Sequence, residues 1–153
     1  EGISPVVFIN FQDTLEAIEK RLSKYKKFEG MIARVVGGQS DKQRNSDVEL
    51  FQSDTKRIML VNLAAGNAGL SLHDLNGKFP RMSLINPSWS AFHLVQALGR
   101  IHRAEGKTPC VQRIMFAAGT IEERQRQRVD TKIKNIDLLN DGCIQFIFTQ
   151  AGN

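Results

Sequence analysis

Pro5-Val6-Val7-Phe8-Ile9-Asn10-Phe11 is a short, nearly unbroken apolar run. Runs of this length with β-branched and aromatic residues read as strands buried on both faces. The segment behind it has a different period. Leu15, Ile18, Leu22 and Tyr25 fall at helical spacing and predict one apolar helix face, with Asp13 or Thr14 as the cap. The unit then repeats. Met31–Val36 reads as a strand that ends at Gly37-Gly38, and Ser40 with Gln43 forms a capping box for a helix to about Ser53, whose face carries Val48 and Phe51. Arg57–Leu63 and Arg81–Ile85 read as further strands, with Asp74, Asn76-Gly77 and Pro80 in the loop between them. Asn86-Pro87-Ser88 turns the chain into a helix over roughly Ala91–His102, and Trp89 is read as packing at its start. Pro109–Phe116 is a fifth strand, Thr120 with Glu123 opens a long helix to about Leu138, and Ile144–Phe148 is a candidate last strand beyond Gly142. In the long helix Ile121, Val129, Ile133 and Ile136 are read as core-facing, and its arginines and lysines as a solvated face. Strand–helix alternation with short connections implies an α/β fold, a parallel sheet with helices on both faces.

The chain has 153 residues, enough for one core, and 41% hydrophobic and 24% charged residues, an ordinary globular balance. No run approaches the roughly 20 apolar residues of a membrane span, and no leader peptide is recognised. A start at Glu1-Gly2-Ile3 suggests a piece of a larger protein, found in the cytoplasm or nucleus. The net charge of +5 suits a polyanionic partner. Cys110 and Cys143 sit singly in apolar runs and are expected to be buried thiols, without the Cys/His spacing of a metal site.

Chemistry concentrates in Gln96-Ala97-Leu98-Gly99-Arg100-Ile101-His102-Arg103. On a continuous helix Gln96, Arg100 and Arg103 share one face, with Val95, Leu98 and Ile101 or His102 turned to the sheet. Guanidinium groups a turn apart suit a polyphosphate, because each planar fork binds phosphate bidentately and stays charged. Gly99 removes a side chain beside them, so that another surface can approach. A second candidate is Ala64-Ala65-Gly66-Asn67-Ala68-Gly69-Leu70-Ser71-Leu72, small residues after a strand that can turn tightly and offer backbone N–H groups. The alternatives at these points are a solvated helix face and an ordinary strand-to-helix turn. Gly106-Lys107-Thr108 imitates the end of a Walker A loop, but Ile101 stands where that loop requires its first glycine, and Pro109 leads into a strand. A DExx-type box after an apolar strand is missing as well. Alone, the chain is expected not to hydrolyse ATP.

The ordered series of segments resembles the C-terminal RecA-like lobe of superfamily-2 helicases and translocases, closest to the chromatin-remodeller-like branch. QALGRIHR at 96–103 matches motif VI, Gln-x-x-Gly-Arg-x-x-Arg, in full; AAGNAGLSL at 64–72 resembles motif V and PVVFINF at 5–11 resembles motif IV. Val35–Phe51, with Arg44 and Phe51, resembles the strand–Gly–Ser–helix segment, and Gly119–Glu123 the segment that follows motif VI. The resemblance implies a lobe over 1–138, with 139–153 as an extension that adds a strand. It implies ATP with Mg²⁺, held mainly by an N-terminal RecA-like lobe of the same polypeptide. Arg103 is then the arginine finger, Arg100 a contact to the terminal phosphates and Gln96 a link between nucleotide and nucleic acid. Gly69, Ser71 and Gly99 line the nucleotide cleft, and Asn10, Phe11, Gly38, Asn62 and Gly66 face the nucleic-acid backbone. DNA is favoured over RNA. Leu63 stands where the family usually has Thr, Ser71 where it has Asn or Asp, and Glu105-Gly106 where remodellers commonly have Gly-Gln. A non-catalytic nucleic-acid-binding or docking module is the alternative function. A Rossmann-type cofactor enzyme lacks its Gly-x-Gly-x-x-Gly turn.

Overall fold

The computed structural model describes residues 2–65, 69–86, 90–117 and 147–151, together with Arg124, Arg128 and Thr131. Strands β1 (Ser4–Ile9), β2 (Ile32–Val35), β3 (Ile58–Asn62), β4 (Arg81–Ile85), β5 (Val111–Ala117) and β6 (Ile147–Ala151) form one sheet in the order β2-β3-β1-β4-β5-β6. Every adjacent pair is parallel, with Val6 opposite both Met59 and Ser83. Helices α1 (Gln12–Leu22), α2 (Asp41–Gln52) and α3 (Ala91–Ile101) alternate with the strands.

The pleat sorts side chains between two cores. Val6 and Phe8 of β1, with Met59 and Val61 of β3, face a cluster completed by Phe51 of α2 and by Leu94, Ala97, Leu98 and Ile101 of α3. Ile58 and Leu60, with Ile9, face the other side, where Leu15 of α1 is buried and Ile18 and Leu22 pack against it. Burial on both faces is why β1 and β3 read as continuous apolar runs rather than alternating ones. This is the RecA-like α/β architecture. Among the described residues, no helix is long and apolar enough to cross a membrane.

Several boundaries differ from the expectations. β1 stops at Ile9, because Asn10 and Phe11 leave the sheet and Phe11 becomes the N-cap of α1. Asp13 and Thr14 therefore lie inside α1, and no side chain caps it. Tyr25 lies beyond the helix and is exposed, with its ring edge-on to Phe28. Ser40 does cap α2: its hydroxyl accepts from the Gln43 N–H at 3.3 Å and donates to the Gln43 side chain at 3.2 Å. β5 begins at Val111, two residues past Pro109, whose ring nitrogen has no hydrogen to give a ladder. Cys110 is half-buried rather than buried, with Sγ 3.6 Å from His102 Nδ1. Strand β6 begins at Ile147. Residues 144–146, Trp89, Cys143, the Thr120–Glu123 cap and the apolar line of the long helix lie outside the described residues; Arg124, Arg128 and Thr131 are helical and exposed.

Candidate nucleotide and nucleic-acid surfaces

Helix α3 connects two parallel strands and must run against them, from the carboxyl ends of the strands back toward the amino end of β5. Its own sequence sets which face it buries. Leu94, Ala97, Leu98 and Ile101 are buried, whereas Val95 is only half-buried and His102 is exposed, a correction to the expected sheet-facing set. Ser90 starts the helix by accepting from the His93 N–H at 3.3 Å.

Gln96 and Arg100 lie one turn apart on α3, but the continuous face expected through Arg103 is interrupted. The helix ends at Ile101, His102 takes an extended conformation (φ −101°, ψ 108°), and exposed Arg103 stands in the turn beyond it. Arg100 is fixed from two directions: Nη1 donates to the Leu70 carbonyl at 3.3 Å, and its own carbonyl accepts from the Leu72 N–H at 2.8 Å. Burial, and then the like charge of Arg103, push the Arg100 pKa below its usual value. Guanidinium nonetheless stays charged at neutral pH. Two cations that repel each other at one spot favour a polyanion between them. Gln96 Oε1 is buried without a hydrogen-bond partner. Gly99 is exposed, and a Cβ added there would meet nothing within 4 Å.

Of the motif V positions, Gly69 has a left-handed φ of 43°, a conformation strained for most other residues. Ser71 is turned inward: its hydroxyl pairs with His73 Nδ1 at 3.0 Å, and its carbonyl accepts from the Gln52 side chain. Gly66 lies outside the described residues.

The described members of the expected nucleic-acid set, Asn10, Phe11, Gly38 and Asn62, gather at the opposite end of the sheet, along the carboxyl ends of the strands. Asn10 donates to the Asn86 side chain at 2.8 Å, bridging the ends of β1 and β4. Asn62 is buried, and its Oδ1 accepts from the N–H groups of Ala64 and Ala65 at 3.0 and 3.3 Å, so it shapes the turn after β3. Phe11 is 70% exposed at the mouth of α1. Gly38 has φ of 77° and, with Gly37, Arg34 and Gln43, borders a cavity of about 290 Å³.

Several polar residues not singled out in the sequence prove central. Asp74 is 2% exposed and His73 3% exposed. Asp74 Oδ1 accepts from the N–H groups of Asn76 and Gly77, each at 3.0 Å, and Oδ2 accepts from the Thr108 hydroxyl at 2.8 Å. Burial opposes ionisation of Asp74, but these hydrogen bonds and the nearby Arg81 guanidinium outweigh it and hold the carboxyl below the usual aspartate range. The signal was present: Asp followed by Asn-Gly two residues on is an Asx-turn pattern. Arg81, 1% exposed, pairs with Asp54 at 3.1 Å over the Phe51 ring.

Residues 2–105 match the model of the helicase conserved C-terminal domain. A putative ATP-dependent RNA helicase L364 of Acanthamoeba polyphaga mimivirus is 35% identical over 146 residues, 95% of this chain and 26% of that protein. The human DNA repair and recombination protein RAD54-like is 31% identical over 129 residues, 83% of this chain and 16% of that protein. The chain thus spans about a quarter or less of the length of these relatives. In fold it is similar to the C-terminal part of the Fun30 ATPase domain, with a TM-score of 0.69 at 20% identity over 82% of this chain and 38% of that one. The match over most of its length, joined to the ordered strands, turns and arginines described above, makes this chain a member of the helicase conserved C-terminal domain family, the second RecA-like lobe of superfamily-2 helicases and remodellers.

Proposed function

We propose that this lobe completes the ATP site of a DNA-dependent translocase or helicase, supplying Arg100 and Arg103 to ATP held by an N-terminal RecA-like lobe. The observation that carries the reading is the placement of the two arginines: Arg100 braced on the Leu70 carbonyl, Arg103 exposed just past the helix end, and each within electrostatic reach of the other. Positive charge fixed in advance where phosphoryl transfer develops negative charge lowers the barrier without reorganisation at the moment of reaction. Gln96, on the same helix one turn before Arg100, supplies an amide beside this pair. The Gly69 turn and the flat patch at Gly99 border the cleft, and Ser71 supports it through its backbone, since its hydroxyl is engaged by His73. Mg²⁺ is assigned with the ATP phosphates mainly to the N-terminal lobe, as in the family this chain resembles.

The nucleic-acid backbone is assigned to the carboxyl edge, with Asn10, Phe11, Gly38, the turn shaped by Asn62 and Gly66. Asn62 to Ala65 lie at that edge and Leu70 to Asp74 touch the segment that carries the arginines, which offers a route between the two surfaces. The relatives' names divide between RNA and DNA, and the several RAD54-like proteins favour DNA. Residues 139–153 are assigned to an extension of the lobe over 1–138, one that adds β6 beside β5.

The test is ATP turnover by the full-length parent protein, with and without duplex DNA, single-stranded DNA or RNA. Wild type is expected to be stimulated by nucleic acid, most by DNA. Arg103→Ala is expected to lose about 10³–10⁵ in rate while still folding and binding nucleic acid. Stimulated turnover at the wild-type rate in that variant rejects the arginine-finger role. A wild type that binds nucleic acid yet never turns over ATP makes the lobe a binding module instead.

A further inference from the structure

The segment that carries Arg103 is tied at several points to the end of motif V and the loop that follows it. Upstream, the Leu72 N–H donates to the Arg100 carbonyl at 2.8 Å. Downstream, the Lys107 N–H donates to the Asp74 carbonyl at 3.0 Å and the Thr108 hydroxyl donates to Asp74 Oδ2 at 2.8 Å. Within the turn, the Gly106 N–H donates to the Arg103 carbonyl at 3.0 Å. A Cβ at Gly106 would lie 3.2 Å from that carbonyl oxygen and 3.8 Å from His73 Cβ, so the turn is closed on itself and seated on His73. His73 Nε2 lies 3.9 Å from Glu105 Oε2.

The sequence explains why a clamp is needed. Arg103 stands beyond the last helical residue, so the α3 hydrogen-bond ladder does not hold it. A short segment containing a glycine has many conformations to lose. A buried carboxylate is a suitable anchor, because both its oxygens accept and its bonds to hydroxyl and N–H donors are charge-assisted. Asp74 uses one oxygen for its own loop and the other for the arginine turn.

We propose that Asp74 is the positioning residue of Arg103, clamping the 103–108 turn through Thr108 and Lys107 so that the guanidinium is aimed before ATP arrives. Asp74 is buried and acts through the turn. The inference rests on the arginine-finger reading of Arg103. It also gives the loop after motif V a second duty, since displacement of residues 70–77 moves the aim of the finger.

Thr108→Val in the full-length parent keeps the side-chain shape and removes the donor. Its kcat in saturating DNA is expected to fall about tenfold or more, the scale of a sub-ångström misplacement, with KM for ATP and DNA affinity within about twofold of wild type. Thr108→Ser restores the hydroxyl and is expected to recover kcat to within about threefold. In the Arg103→Ala background, single-turnover hydrolysis is expected to be unchanged by Thr108→Val, because two residues that act through one guanidinium are not additive. Should the valine variant fold poorly, Thr108→Cys keeps the volume, weakens the donor and is expected to give the same split. Wild-type kcat in a folded Thr108→Val, an effect confined to KM, or an equal loss on the Arg103→Ala background overturns the clamp. If Arg103→Ala itself turns over at the wild-type rate, the arginine-finger reading fails and the clamp falls with it. If Arg103→Ala is inactive and Thr108→Val is silent, the clamp alone fails.

Discussion

The Leu72 N–H donates to the Arg100 carbonyl at 2.8 Å, while Arg100 Nη1 reaches back to the Leu70 carbonyl at 3.3 Å. Backbone and side chain of one arginine thus grip the same three residues of the motif V loop. The guanidinium is held in place by a directional bond, and this geometry distinguishes it from a generic positive charge.

Arg100→Lys tests that distinction. Lysine keeps the charge but lacks the planar fork that reaches Leu70 and a phosphate together. We expect nucleic-acid-stimulated kcat/KM of the parent to fall about tenfold or more, roughly 1.4 kcal/mol of transition-state stabilisation. An unaltered kcat/KM would mean that charge alone matters at this position.

Gly99→Ala separates the lobe from its assembly. Nothing lies within 4 Å of the added methyl, and the position is in the last turns of α3. Replacing a helical glycine is expected to stabilise the chain by about 0.5–1 kcal/mol in denaturant unfolding. ATP turnover of the parent is expected to fall despite that gain, because the methyl would occupy the surface on which the N-terminal lobe is proposed to close. A stabilised variant with full turnover would show that no surface approaches Gly99.

Asp74 makes acid stability a readout of its loop. Its native carboxyl titrates below the usual aspartate range, so the unfolded state takes up the proton first as pH falls. Its stabilisation is therefore complete above the unfolded value of about 3.9 and is lost as pH falls from there through the depressed native value. Urea unfolding of wild type and Asp74→Asn should show a constant gap from pH 7 to pH 5 and a narrower one at pH 3. A gap that holds or widens at pH 3 contradicts the depressed value.

The elements legible in the sequence were those governed by local rules. β4 begins and ends as its apolar run predicts, Ser40 caps α2, and of the face expected to turn to the sheet in α3 Leu98 and Ile101 are buried, while Val95 is half-buried and His102 exposed. What escaped depends on partners distant in the chain. Arg81 reads as a strand's polar first residue, yet it is buried because Asp54 and the Phe51 ring meet it there. Asp74 reads as a loop acid, and its weight comes from Thr108, 34 positions away. Arg103 has helical spacing from Gln96, but spacing cannot register that His102 turns the chain out of the helix. The motif pattern located both arginines; only the turn's tertiary contacts reveal how the second is held.

Strand order also sets a schedule for folding. β1 lies in the interior of the sheet, but its neighbours are β3 and β4, residues 58–62 and 81–85. During synthesis β1 emerges ahead of both partners, so the edge covered by β3 stays open until residues 58–62 have followed and the edge covered by β4 until residues 81–85 have. Pairings this distant along the chain are slow to form, and unpaired edges invite association with other chains. Until then β1, which leads into the turn at Asn10 and Phe11, has unpaired backbone that can associate with other chains.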